Sequence, residues 1–220
     1  TNMKKTIINI IDYGMGNLQS VHNALERVGC EVLVSSNPAA LSDADALILP
    51  GVGAFGEAMS NLHKRKLVEP LRHAVLDGGK PLLGICLGMQ LLADSSDERG
   101  NCKGLSLISG QVRAIPKSIG LRLPHIGWND LSLCMPDPLF LDLPDKSAFY
   151  FVHSFQFECD TAYISATTDY GVDITAAVQR NHIFGVQFHP ERSQRKGLCL
   201  LRNFIDFVEL TTAKKEAKIA

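Results

Sequence analysis

Apolar residues fall along the first half of the chain in two alternating rhythms. Short β-branched or aliphatic runs at 6–11, 31–35, 46–49 and 81–85 read as strands. Between them, Leu18, Val21, Leu25 and Val28 recur at helical spacing, and Gly29 stands where a helix end favours a residue without a Cβ. A second helical stretch is predicted over 57–64, and a third runs toward Leu76 until Gly78-Gly79 breaks it. Strands alternating with helices imply parallel pairing through right-handed crossovers. The predicted fold is therefore α/β, a doubly wound and mostly parallel sheet flanked by helices. In such sheets ligands collect at the carboxyl ends of the strands.

Past Gly100 the texture changes. β-like runs at 107–108, 149–152, 163–168 and 183–188 are separated by turns, so this half is expected to be more antiparallel. Leu198, Leu201, Phe204, Ile205 and Val208 mark a closing amphipathic helix, and 211–220, rich in lysine, is expected to fray. One domain over 4–208 and a tail at 209–220 follow from this pattern.

Composition narrows the partners. The 220 residues are 45% hydrophobic and 20% charged, enough for one sizeable core. A net charge of -1 with both signs dispersed offers no basic surface for nucleic acid. No apolar run approaches the roughly 18 residues of a membrane span, and no signal peptide is legible, so the cytoplasm is the expected compartment. The cysteines at 30, 86, 102, 134, 159 and 199 form no C-x-x-C pattern, and H-E-x-x-H is absent. Neither a metal, a cofactor nor a disulfide is expected.

One cysteine has a distinctive setting. Gly84-Ile85-Cys86-Leu87-Gly88 follows a predicted strand and precedes Met89-Gln90-Leu91-Leu92-Ala93, which reads as the start of a helix. Strand, sharp turn and helix, with glycine on both sides, reproduce the arrangement of the G-x-S-x-G nucleophile elbow with sulfur in place of oxygen. A thiol at a helix start also faces unpaired N–H groups that favour the thiolate. Taken alone, such a cysteine equally fits a small buried hydrophobe. A base distinguishes the two readings, and His189-Pro190-Glu191 supplies one. Proline keeps His189 extended, and in an extended segment Glu191 projects to the same side as His189 and can orient its ring. Cys86, His189 and Glu191 thus form a candidate nucleophile, base and orienting acid. His153 is the rival base but has Phe155, with no carboxylate, two residues on. His125, in Pro124-His125-Ile126-Gly127-Trp128-Asn129, reads as architectural.

Gly51-Val52-Gly53-Ala54-Phe55-Gly56 matches the dinucleotide pattern G-x-G-x-x-G, but the next strand ends at Cys86, where a ribose-binding acid should stand. The loop is better read as a source of N–H donors. With the N–H of Leu87, those of Val52 and Gly53 are candidates for an oxyanion hole.

These motifs resemble the class I glutamine amidotransferases. Gly84-Ile85-Cys86-Leu87-Gly88-Met89-Gln90 is similar to that family's nucleophile motif, and Gly185-Val186-Gln187-Phe188-His189-Pro190-Glu191 to its His-Pro-Glu motif. Four further segments resemble one branch, the glutaminase subunits of imidazole glycerol phosphate synthases: Tyr13-Gly14-Met15-Gly16-Asn17, Pro50-Gly51-Val52-Gly53, Pro124 to Asn129 and Tyr150-Phe151-Val152-His153-Ser154-Phe155. The resemblance implies hydrolysis of L-glutamine through a thioester on Cys86. It also implies transfer of the ammonia to a separate cyclase subunit, a (β/α)8 barrel, in a heterodimer. Gln90, Glu98, Ser154 and Phe155 would bind the substrate, while Asn17, Trp128, Tyr150 and Arg192 would face the partner. Arg192 stands where a lysine is usual, which changes the hydrogen-bond geometry of that contact. A sibling that feeds another synthetase, a catalytically silent regulatory subunit and a cysteine hydrolase that shares the elbow are the competing readings.

Overall fold

The structure, a computed structural model, describes residues 5–117 and 121–219. The first half is built from β1 (Ile7–Ile11), α1 (Leu18–Val28), β2 (Glu31–Ser35), α2 (Ala40–Asp43), β3 (Ala46–Leu49), α3 (Phe55–Lys64), α4 (Val68–Arg72), β4 (Leu82–Ile85) and α5 (Leu87–Gln90). The second half holds β5 (Ser95–Ser96), β6 (Cys102–Lys103), β7 (Gly110–Ala114), β8 (His125–Asp130), β9 (Ser132–Leu133), β10 (Ala148–His153), β11 (Phe155–Cys159), β12 (Ile164–Asp169), β13 (Asp173–Arg180), β14 (Ile183–Val186) and α6 (Gln194–Ile219).

The main sheet has the order β2-β1-β3-β4-β14-β13-β12-β9. Its pairings from β2 to β14 are parallel, and those beyond β14 are antiparallel. The expected change of texture is thus a change of strand direction within one sheet. Two small sheets, β10-β8 and β11-β7-β5-β6, lie beside it. The order reverses at β1, so the carboxyl ends of β1, β3 and β4 open onto a crevice.

Two cores sandwich the sheet. Ile8 and Ile10 of β1 pack with α1 and α6 on one face, whereas Ile11, Leu47 and Leu49 pack with α3 and α4 on the other. α1 shows why the helical stripe forms here. Asn17 caps it by accepting the Ser20 N–H at 3.3 Å, Val21, Leu25 and Val28 are buried, and Gly29 ends it in the left-handed region at φ 94°. Each such buried Leu or Val contributes about 1.5–3 kcal/mol of transfer free energy.

Three sequence expectations change. The helix after Cys86 stops at Gln90, because the carbonyls of Leu91, Leu92 and Ala93 accept N–H groups from 105–108. For the same reason 107–108 is no strand: Leu107 and Ile108 both donate to the Leu92 carbonyl, at 2.8 and 3.0 Å. Over 211–219 the expected fraying gives way to helix, with Lys215 Nζ donating to the carbonyls of Gly78 and Gly79, while residue 220 lies outside the described residues.

Two glycines let α5 settle on the sheet. A Cβ at Gly84 would lie 2.6 Å from the Gly88 carbonyl oxygen, and one at Gly88 would overlap the Leu49 carbonyl oxygen. The latter belongs to β3, whose pairing with β4 forbids retreat. Gly88→Ala is expected to cost about 3 kcal/mol and lower the thermal midpoint by about 10 °C, read by differential scanning calorimetry.

Candidate active site

Cys86 lies at the end of β4, with its N–H donating to the Val186 carbonyl of β14 at 2.8 Å. Its backbone sits at φ 54° and ψ -113°, a region that L residues rarely adopt. The neighbouring strand and the turn into α5 impose that conformation, and strain of this kind costs about 1–3 kcal/mol. The side chain is buried, with Sγ 3.7 Å from Gln187 Nε2 and 3.9 Å from the Val152 carbonyl oxygen.

His189 reaches the same place from the end of the adjacent strand. β14 stops at Val186, two residues before the predicted end, and a single 3-10 turn, Pro190–Arg192, follows His189. The turn is fixed through the backbone. His189 N–H donates to Tyr150 O at 2.9 Å, and Ser193 Oγ donates to His189 O at 2.6 Å. His189 Nδ1 then lies 2.8 Å from Glu191 Oε1, with side-chain exposures of 5% and 2%. Since the carboxylate only accepts, Nδ1 carries the proton. Nε2 has no hydrogen-bond partner among the described residues. Burial alone would lower the His189 pKa, but the Cys86 side chain and the Glu191 carboxylate outweigh it and push it up to about 10.

A cavity of about 340 Å³ is lined by Val52, Gly53, Cys86, Leu87, Gln90, Glu98, Ser154, Phe155 and His189, together with Val152 and His153. Every candidate nucleophile, base, oxyanion and substrate residue read from the sequence therefore borders one space, with Glu191 behind His189. The N–H groups of Val52, Gly53 and Leu87 donate to no backbone carbonyl among the described residues. Gly53 has φ 107°, and Val52 is 46% exposed. Tyr13 holds the root of this loop: its buried hydroxyl donates to Pro50 O at 2.7 Å, and burial and the nearby Cys86 both raise its pKa. Glu98 Oε2 accepts the Phe55 N–H at 2.8 Å, which ties β5's trailing loop to the start of α3.

Gln187 is the residue that sequence reasoning passed over. It is fully buried, accepts from Gln90 Nε2 at 3.0 Å and points its own amide at Cys86. A lone amide inside the apolar run 183–188 was the available signal. His153, the rival base, has both ring nitrogens engaged elsewhere, with the Phe155 carbonyl and with His125. Outside the cavity, Trp128, Tyr150 and Arg192 form one cluster. The Trp128 and Tyr150 rings meet edge-on at 6.1 Å, and the Arg192 guanidinium lies 4.2 Å from the Tyr150 ring centre. Asn17 is exposed at the start of α1, where it serves as the cap. Among the described residues no group of His, Cys, Asp and Glu could hold a metal ion, and no helix is long and apolar enough to cross a membrane.

Two outcomes test this geometry. If backbone strain is stored at Cys86, Cys86→Gly will be more stable than Cys86→Ala by about 1 kcal/mol in urea unfolding, the reverse of their order in a regular helix or strand. The second concerns pH. The fold favours protonated His189, so its stabilising contribution is complete below about pH 6.5 and is lost as pH climbs through about 10. Glu191→Gln removes one source of that preference. Its destabilisation is expected to be about 3 kcal/mol near pH 6 and to narrow toward pH 10 in parallel urea titrations.

Comparison with known proteins gives this geometry a family. Residues 9–207 match the family model described as glutamine amidotransferase class-I. The chain is 47% identical over 199 residues to imidazole glycerol phosphate synthase subunit HisH 1 of Campylobacter jejuni (strain RM1221), covering 90% of this chain and 99% of that protein. It is 48% identical over 202 residues to subunit HisH of Methanothermobacter thermautotrophicus, covering 92% and 99%. Among solved structures, PurLQS from Thermotoga maritima superposes with a TM-score of 0.73 at 20% identity, covering 93% of this chain and all of that one. A glutamine amidotransferase does so with a TM-score of 0.72 at 20% identity, covering 92% and 98%. These structural matches speak to the fold, and the family model and the sequence relatives carry the assignment: the chain belongs to the class-I glutamine amidotransferase family.

Proposed function

We propose that this chain is the glutaminase subunit of an imidazole glycerol phosphate synthase. It hydrolyses L-glutamine to glutamate and hands the ammonia to a cyclase partner that makes imidazole glycerol phosphate and AICAR in histidine biosynthesis. The observation that carries the reading is the shared cavity, where Cys86, His189 and the donor loop converge on a space within the range of small-ligand pockets.

In this mechanism the Cys86 thiolate attacks the γ-carboxamide carbon. The C–N bond breaks as His189 gives its proton to the departing ammonia, leaving a γ-glutamyl thioester on sulfur. Water then attacks the thioester with His189 as base, and glutamate leaves. Glu191 keeps the imidazole oriented throughout. The N–H groups of Leu87, Val52 and Gly53 receive the oxyanion of both tetrahedral intermediates. Gln90 binds through its oxygen, since both of its amide protons are committed to Phe155 O and Gln187 Oε1. That oxygen accepts from a substrate N–H, while Glu98 suits the substrate's ammonium group. Ser154 and Phe155 line the same cavity.

The ammonia acceptor is a separate subunit, a (β/α)8 barrel in our reading, docked on the face that carries Trp128, Tyr150 and Arg192. Trp128 is 50% exposed and its neighbour Ile126 58%, an unusual pair to leave in water and a reasonable anchor for an interface. Asn17 would lie at the edge of that contact. Identity of 47–48% along nearly the full length of the synthase subunits favours this acceptor over that of a sibling amidotransferase.

The test is to incubate the chain with the glutamine-analogue electrophile diazo-oxo-norleucine and to measure glutamate release. A single adduct on Cys86, and a fall of about 10⁴-fold or more in turnover for Cys86→Ser, are expected. An unlabelled Cys86, with the cyclase subunit and its ligand also present, overturns the reading.

A further inference from the structure

Beside the cavity runs a row of polar side chains that the proposed chemistry does not use. Asn129, on β8, donates from Nδ2 to the Asp169 carbonyl at 2.8 Å and faces His125 Nε2 at 3.2 Å. Its Oδ1 accepts the Asp130 N–H at 2.8 Å, which fixes the orientation of the amide. His125 Nδ1 lies 3.0 Å from His153 Nε2, and His153 Nδ1 lies 2.8 Å from the Phe155 carbonyl oxygen. His125 is held flat between Tyr170 and Phe151, with ring centres at 4.1 and 4.8 Å. Both histidines are buried.

The direction of every bond in this row follows from its end. A carbonyl oxygen only accepts, so His153 Nδ1 carries a proton. Burial, with His125 and His189 nearby, lowers the His153 pKa to about 4 and keeps the ring neutral, so Nε2 must accept. His125 Nδ1 is then the donor. Burial disfavours a charge on His125 too, which leaves its Nε2 to accept from Asn129. The Phe155 oxygen also accepts Gln90 Nε2 at 3.2 Å, and Gln90 in turn donates to Gln187 Oε1 at 3.0 Å.

We infer that Asn129, His125 and His153 form a one-way hydrogen-bond relay that positions the Phe155 carbonyl and, through it, the Gln90 amide at the substrate cavity. None of the three is a catalytic residue. They are positioning residues, and their effect on substrate rests on the glutaminase reading. If either imidazole adopted the other tautomer, two acceptors would face each other along the row. The turn at Ser154, between β10 and β11, would then lose the donor that holds its far side.

The test has two independent readouts. In the chain labelled with ¹⁵N-histidine, two-bond ¹H–¹⁵N correlations at neutral pH are expected to show His125 and His153 both neutral and protonated at Nδ1. An imidazolium or an Nε2–H tautomer at either position overturns the relay. In glutamine hydrolysis, Asn129→Ala is expected to raise KM about 5-fold with kcat within about 2-fold, while His125 keeps its Nδ1–H form because His153 Nε2 still accepts from it. His153→Phe, which keeps a ring of similar size, is expected to raise KM about 10-fold. An unchanged KM in a folded Asn129→Ala protein, or a loss confined to kcat, overturns the inference. If the wild-type chain releases no glutamate even with the cyclase subunit, the glutaminase reading falls, and the tautomers alone decide the relay.

Discussion

The parallel pairing of β4 with β14 is the constraint on which the site depends. Its register sets Gly84 against Gly185 and Ile85 against Val186, and the next N–H, that of Cys86, still donates to the Val186 carbonyl. Chain segments far apart in sequence therefore end side by side, one with sulfur and the other with imidazole. Small residues at the paired positions are required by packing. A Cβ at Gly185 would come within 2.8 Å of Met89 Cγ and 3.1 Å of Leu92 Cδ1, so the side chains packed over it from α5 and the turn beyond would have to shift. Register also decides which side chain looks where. Beyond the ladder, Gln187 turns toward Cys86, whereas Phe188 joins the cluster of Phe149 and Phe151 in the core. A slip of one residue would exchange them, which would bury an amide among aromatic rings and place an aromatic ring beside the nucleophile.

Around this fixed pair, the second half of the chain contributes polar groups that are oriented by backbone. β10 supplies Tyr150 O to the His189 N–H, and the start of β11 supplies Phe155 O to both Gln90 and His153. Carbonyl oxygens of a paired strand can neither rotate nor titrate, so they are dependable reference points for side chains that can do both. This explains why the antiparallel pairs β10-β8 and β11-β7 sit beside the main sheet: the carboxyl ends of β4 and β14 present the candidate reactive groups, and the adjoining strands set their orientation.

Much of this was legible before any coordinates. The four parallel strands of the first half and the elbow at Cys86 followed from apolar runs punctuated by glycine, and His189 with Glu191 followed from proline and a two-residue spacing. Each is a local signal. What the sequence did not reveal depended on contacts made elsewhere. The helix after Cys86 ends early because 105–108 takes its carbonyls, a competition that no propensity encodes. The last turns of α6 persist because Lys215 reaches the carbonyls of Gly78 and Gly79. The roles of Gln187, His125 and Asn129 were hidden because a buried polar residue declares itself only through its partners, and theirs come from other strands.

The geometry also divides the site into a fixed part and a free part, and this bears on what would limit the proposed chemistry. The Cys86 side chain and the Glu191 carboxylate hold the His189 pKa well above its ordinary value against the effect of burial, so the imidazole stays protonated beyond neutral pH. The proposed general acid is then charged before substrate arrives. The proposed oxyanion donors are a different matter. Leu87 is anchored in α5, but residues 51–53 leave β3 without ladder bonds, with Tyr13 holding only their root and Val52 open to solvent. Proposed catalysis therefore depends most on the segment with the fewest restraints. A binding event that ordered 51–53 would raise turnover without touching Cys86, His189 or Glu191. In the proposed glutaminase, a partner that ordered this loop would act by completing the donor set, with the proposed general acid already charged.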